Sequence, residues 1–188
     1  RDLGGWGRID KVYGQVPVSS EQILHPEKYF DKLDAPTHVD MSWQKSAMAE
    51  GSAWVQVYAD VLGEFMWRLV LGGLDDGDER RRAAAGWDGD GLRVWRRASD
   101  GALAWLALTV WDSESDAVEF AGALAKTVAG RWPGAKRQAI DDLPRMRWKT
   151  RDGRQVLLQR FGDWVLVIEG LPSADCDRLL RVFGSSGK

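Results

Sequence analysis

Apolar positions along this chain change period several times, and each change predicts an element. Trp6, Ile9, Val12 and Tyr13 fall on one face of a helix over 4–13 that Gly14 stops. Ser19, with Gln22 at the third position after it, has the spacing of a capping box, so a short helix is expected to follow. Pro26 ends or restarts that helix, because proline suits a first turn and breaks an interior; Tyr29 and Phe30 supply an apolar anchor. No period holds from Asp31 to Ser52, which predicts an extended connection across the surface. Trp54, Val57 and Tyr58 fit the end of a strand or the entry to a helix. Val61, Leu62, Phe65, Met66, Leu69 and Val70 then recur at helical spacing until Gly72-Gly73 stops them. A further helix is predicted from about Asp76 to Ala85, with acids at its start, Arg80-Arg81-Arg82 toward its end and Gly86 as its cap.

The second half has clearer periods. Leu92–Arg97 reads as a short strand, Asp100-Gly101 as a hairpin turn, and Leu103–Trp111 as a central strand buried on both faces. Ser113 opens a helix whose Ala117, Phe120, Ala121, Leu124, Ala125 and Val128 share one face. Met146, Trp148 and Thr150 alternate with basic residues, the period of a strand with one wet face. Turns at Asp152-Gly153 and Gly162-Asp163 make a meander with Gln155–Phe161 and Trp164–Glu169. Pro172 and Ser173 open a last helix with Cys176, Leu179, Leu180 and Phe183 inward. The order from Leu92 is ββαβββα. This predicts an α+β fold in which an antiparallel sheet packs with helices, preceded by a short helical N-terminal part. Residues 1–50 form that helical and extended segment and residues 51–188 the α+β domain, within one cooperative unit.

Composition narrows the class. With 44% hydrophobic and 29% charged residues, the chain resembles a globular domain more than a disordered or membrane protein. Its eleven tryptophans are spread from Trp6 to Trp164 and read as core mass. A net charge of −2 gives no basic footprint for nucleic acid. Cys176 is the only cysteine, which excludes an intramolecular disulfide or a cysteine metal cluster and suits a core position. No apolar run approaches the ~20 residues needed to span a bilayer. The chain starts at Arg1 rather than Met, so an upstream targeting segment is an open expectation, and with it a secreted or cell-envelope location.

Candidate chemistry is sparse. The two histidines, His25 and His38, are separated by Pro26 and Pro36 and cannot share a helical face as a zinc pair would. No nucleophile elbow or phosphate loop is present. Asp88 and Asp90 give 86–91 the flavour of a calcium loop, but its glycines are misplaced for one, and a tight turn is expected there. Glu64 is either a buried functional carboxylate or a solvent-side helical residue. Glu21, His25 and Tyr29 lie close enough in sequence to line a cleft as ligand, proton donor or oxyanion partner. The same residues also suit a proline-bent turn pinned to the core. Glu21, His25 and Glu64 are thus the catalytic candidates, and a small enzyme using them requires their side chains to converge in one pocket.

Gly4-Gly5-Trp6, Ile9-Asp10, Tyr13, Pro17 and the run from Ser19 to Tyr29 (S-S-E-Q-I-L-H-P-E-K-Y) resemble a family of bacterial and archaeal zinc metallopeptidase-like proteins. Leu62-Gly63-Glu64-Phe65, 85–90, Trp111-Asp112, Asp116-Ala117 and Glu119-Phe120-Ala121 extend the resemblance over most of residues 4–125. In that family a similar segment follows an upstream helix bearing H-E-x-x-H. The resemblance therefore implies a non-catalytic C-terminal domain, with zinc only in a longer parent protein whose N-terminal part is the expected partner. A stand-alone ligand- or protein-binding module is the alternative.

Overall fold

The computed structural model describes residues 5–48, 53–138 and 144–185. The expected domain boundary at 50/51, the glycine at position 4 and the end of the expected 31–52 connection lie outside the described residues.

In order, the elements are α1 (Trp6–Gly14), α2 (Ser20–Leu24), α3 (Glu27–Phe30), α4 (Gln44–Ala47), β1 (Trp54–Asp60), α5 (Gly63–Val70) and a 3-10 turn at Leu71–Gly73. Next come α6 (Gly77–Ala84), β2 (Trp87–Arg97), β3 (Leu103–Trp111), α7 (Glu114–Arg131), β4 (Lys136–Arg137), β5 (Arg145–Lys149), β6 (Gln155–Phe161), β7 (Trp164–Leu171) and α8 (Ser173–Ser185). The seven strands form one antiparallel sheet in the order β1-β2-β3-β7-β6-β5-β4. The predicted α+β class and antiparallel sheet hold, with the two-residue β4 as an added strand in the ββαβββα order.

Alternation within the central strands builds a core on each side. Ala107 and Trp111 of β3, with Val165 and Val167 of β7, join α5, α6 and α7 on one face. Leu106, Leu108, Val110, Leu166 and Ile168 point the other way, to α8 and residues 39–47. Each of these valine, leucine and isoleucine side chains, withdrawn fully from water, contributes roughly 1.5–3 kcal/mol. Helix α7 is capped as its sequence predicts: Ser113 Oγ accepts from the Asp116 N–H at 3.3 Å, and Ala117, Phe120, Ala121, Leu124 and Val128 are buried.

The structure corrects several expectations. The expected surface connection holds for residues 31–38, none of which is buried, but not for 39–47: Val39, Met41, Trp43 and Ala47 are buried and cover one face of the sheet. Room for them comes from β2, where Gly89 and Gly91 lie directly beneath Thr37 and Met41. The expected turn at 86–91 is instead the start of β2, which begins at Trp87 and carries a bulge between Trp87 and Gly89. Residues 54–60 resolve as a strand. Helix α1 forms, but no residue of it is buried: Trp6 and Tyr13, on its expected apolar face, are 82% and 86% exposed. Polar contacts hold α1 down, with Lys11 Nζ donating to the Tyr29 carbonyl at 3.3 Å and Tyr29 Oη donating to the Gln15 carbonyl.

Candidate functional site

The proline-bent stretch at 19–30 closes against the sheet domain through two charge clusters. Ser19 Oγ accepts from the Gln22 N–H at 3.2 Å, and Gln22 Oε1 accepts from the Val18 N–H at 2.9 Å, so the cap predicted from sequence starts α2. Pro26 then serves as the N-cap of α3. This break places His25 at the end of α2, where its side chain reaches α5.

The first cluster is His25–Glu64–Arg68. His25 Nε2 lies 3.1 Å from Glu64 Oε1 and 3.0 Å from Oε2, and Arg68, one helical turn beyond Glu64, also bonds Oε1. Glu64 is 0% exposed, which overturns the solvent-side default for it. A carboxylate so deep costs several kcal/mol unless paired, and it is paired from two sides. His25 Nδ1 faces the Glu27 carboxylate at 3.7 Å. Among the described residues no serine, threonine or cysteine hydrogen-bonds His25. The imidazole thus lies between two carboxylates.

The second cluster centres on Lys28, which sequence reasoning missed. Its ammonium lies 2.6 Å from Glu21, 2.6 Å from Asp112 just after β3, and 3.3 Å from Asp34. Burial raises Glu21 from near 4.5 to about 7, against the opposing pull of the Lys28 hydrogen bond and charge. Burial alone would lower Lys28, but hydrogen bonds to Asp112 and Glu21 raise it above the ordinary lysine value. The structure therefore brings His25 and Glu64 together, while Glu21 engages a different partner.

Asp88 and Asp90 are both occupied as acceptors. Asp88 takes the Thr37 hydroxyl at 2.6 Å. Asp90 Oδ1 accepts from the Leu62 N–H at 2.8 Å, and Oδ2 accepts from the Gly63 N–H at 2.9 Å, Trp67 Nε1 at 3.0 Å and Trp87 Nε1 at 2.9 Å. Burial raises Asp90 above the usual carboxylate range while these four donors pull it back. Among the described residues no group of three or more His, Cys, Asp or Glu side chains is arranged to hold a metal ion. Cys176 is buried against α8's core neighbours, and burial pushes its thiol up to about 12. No helix among the described residues is long and apolar enough to cross a membrane.

Residues 53–180 match a family described as a domain of unknown function, DUF8575. The chain belongs to that family. The matched DUF8575 region contains Glu64, Asp90 and Asp112; Glu21, His25 and Lys28 lie before it, so both charge clusters tie the preceding segment onto the DUF8575 domain. No curated protein matches the chain. The crystal structure of the extracellular domain of PknH from Mycobacterium tuberculosis is similar at a TM-score of 0.48 and 9% identity, covering 81% of this chain and 97% of that one.

The Lys28 cluster makes the stability of the chain depend on pH. Because the folded-state pKa of Glu21 is raised, the folded protein holds a proton that the unfolded chain releases above about pH 4.5, and stability falls as pH rises from there to about 7. Glu21→Gln removes that window while Asp34 and Asp112 still hold Lys28. Urea midpoints at pH 5 and pH 8 should show wild type losing on the order of 1–2 kcal/mol relative to the variant. Parallel pH profiles for the two proteins would show that Glu21 titrates as in the unfolded chain.

Proposed function

We propose that this domain is a non-catalytic protein-binding module that docks on another polypeptide through the outer side of α5. The observation that carries this reading is the orientation of that helix. Its carboxylate Glu64 is fully buried, while Phe65, Met66 and Leu69 are 49%, 42% and 57% exposed. Their i, i+1 and i+4 spacing puts the three side chains on one stripe. Val61 just before the helix, and Ile23 on the adjoining α2, are also exposed. Leaving such side chains about half in water forgoes roughly 0.7–1.5 kcal/mol apiece, a cost that a docked partner would recover. The arrangement of His25, Glu64 and Arg68 agrees with a structural role, since it fixes α2 against α5.

A finer reading rests on the resemblance in residues 4–29 and its weaker continuation to 125. On it, the partner is the catalytic part of a zinc metallopeptidase-like protein, the metal is held entirely by that part, and this domain supports it without a ligand of its own.

A photo-crosslinking amino acid placed at position 65, 69 or 118 tests the docking face in extracts of the source cells. Val118 is exposed on α7 and serves as the control. Adducts of one defined polypeptide at 65 and 69, absent at 118 and lost on adding Met66→Lys, are the expected result. Equal labelling at all three positions would remove the reading.

A further inference from the structure

We propose that the outer edge of β1 is a self-association surface, on which a second copy of this chain adds its own β1 antiparallel about a two-fold axis at Tyr58. This interface is separate from the α5 face and does not depend on it.

The two edges of the sheet are built differently. At one end β4 has only two residues, Lys136 and Arg137, and a short cationic strand resists pairing with another chain. At the other end β1 runs for seven residues, W-V-Q-V-Y-A-D, with no proline, lysine or arginine. Residues 55–60 are all exposed, and among the described residues no strand pairs with their outer edge. Valine and tyrosine favour a pleated, half-covered surface, so this strand suits a further neighbour.

Charge selects the occupant and the register. Residues directly opposite one another in an antiparallel pair share a face. Val55 lies opposite Arg96, Tyr58 opposite Val94 and Asp60 opposite Leu92, so Val55, Tyr58 and Asp60 are on one side of the sheet with Arg96. Gln56 and Ala59, opposite Trp95 and Arg93, are on the other. Val57 is the bulge residue and has no partner on β2. A second copy paired about Tyr58, with Val57 of each copy left out of the new ladder as it is from β2, sets Val55 against Asp60, Gln56 against Ala59 and Tyr58 against Tyr58, with faces matched at every pair. Each Asp60 then stands in the same row as the other copy's Arg96, with only Val55 between them. Two strand spacings separate their backbones by about 9.6 Å, within the combined reach of an arginine and an aspartate. Arg96 is exposed and forms no hydrogen bond or ion pair among the described residues, so the partner's Asp60 gives it a counter-charge. The contact is made twice, by symmetry.

Analytical ultracentrifugation of the full chain from low micromolar to submillimolar concentration should show a monomer–dimer equilibrium. Asp60→Arg and Arg96→Asp should each weaken it by about tenfold or more, and the two combined in one chain should restore it. Tyr58→Lys, which sets like charges opposite each other at the axis, should leave a folded monomer by circular dichroism. Tyr58→Cys gives a second readout, because opposed residues on paired strands have Cα atoms about 4.5–5.5 Å apart, inside disulfide range. Under mild oxidation it should form a covalent dimer well before Leu103→Cys, another exposed strand position, while the native Cys176 stays buried. A monomer at every concentration, a dimer indifferent to Tyr58→Lys, or equal crosslinking at 58 and 103 would overturn the proposal.

Discussion

Replacing Asp90 by alanine is expected to cost the chain about 4 kcal/mol or more, a large share of the roughly 5–15 kcal/mol by which a domain is normally stable. The side chain is 2% exposed and accepts four hydrogen bonds. Two come from the backbone at Leu62 and Gly63, where the first N–H groups of α5 have no partner within the helix. The other two come from the indoles of Trp67 and Trp87, both buried. Truncation would strand several buried donors at once, at roughly 1–3 kcal/mol for each one left unsatisfied. Asp90→Asn keeps the shape and one acceptor oxygen but turns an amide toward donors, so about half of that loss is expected. Urea denaturation followed by tryptophan fluorescence and by circular dichroism would measure both variants. A loss below about 1 kcal/mol for alanine would mean that water or a rearranged α5 satisfies the four donors instead.

Asp90 also shows where the sequence stops being legible. Only Trp87 among its donors is a near neighbour in the chain; the others come from 62, 63 and 67, and nothing in the run 86–91 points to them. That run reads as a turn because it is rich in glycine and aspartate, yet those glycines serve a strand that another segment crosses at close range. Helix α7 and strand β3 were legible because period, caps and burial agree locally. Helix α5 was legible as a helix but not in its orientation. A stripe of Phe65, Met66 and Leu69 normally faces inward, and here the inward face is set by Trp67 and by the pairing of Glu64 with His25, 39 residues earlier. His25 and Glu64 could each be singled out from sequence, whereas their contact could not. Lys28 went unnoticed because a lone lysine among acids is ordinarily a solvated residue; its role depends on Asp112, 84 residues away.

The packing of the 36–48 segment onto β2 leads to the other large effect, Gly89→Ala, for which a loss of about 3 kcal/mol is expected. A methyl group there would overlap the Thr37 carbonyl oxygen and come within 3.1 Å of the Thr37 carbonyl carbon and 3.2 Å of Val110 Cγ1. Backbone cannot step aside as a side chain can, so the segment must lift, loosening the Thr37 N–H bond to the Asp88 carbonyl at 2.6 Å. Val39, Met41 and Trp43 follow Thr37 in the chain and would lose part of their burial against the sheet. Gly91→Ala is the matched comparison: its new methyl would meet Met41 Cγ at 2.5 Å, on a flexible side chain. There a cost of about 1–2 kcal/mol is expected, since the buried Met41 side chain must shift from Cγ outward but can repack where backbone cannot. Gly153→Ala separates backbone strain from collision, because φ is +84° but nothing lies within 4 Å of the added atom. Its cost should be about 1–2 kcal/mol. Limited trypsin digestion completes the test through Lys45, an exposed residue of the covering segment. Gly89→Ala should be cut there faster than either comparison variant. Equal cleavage in all three would mean that the segment keeps its seat without the glycine.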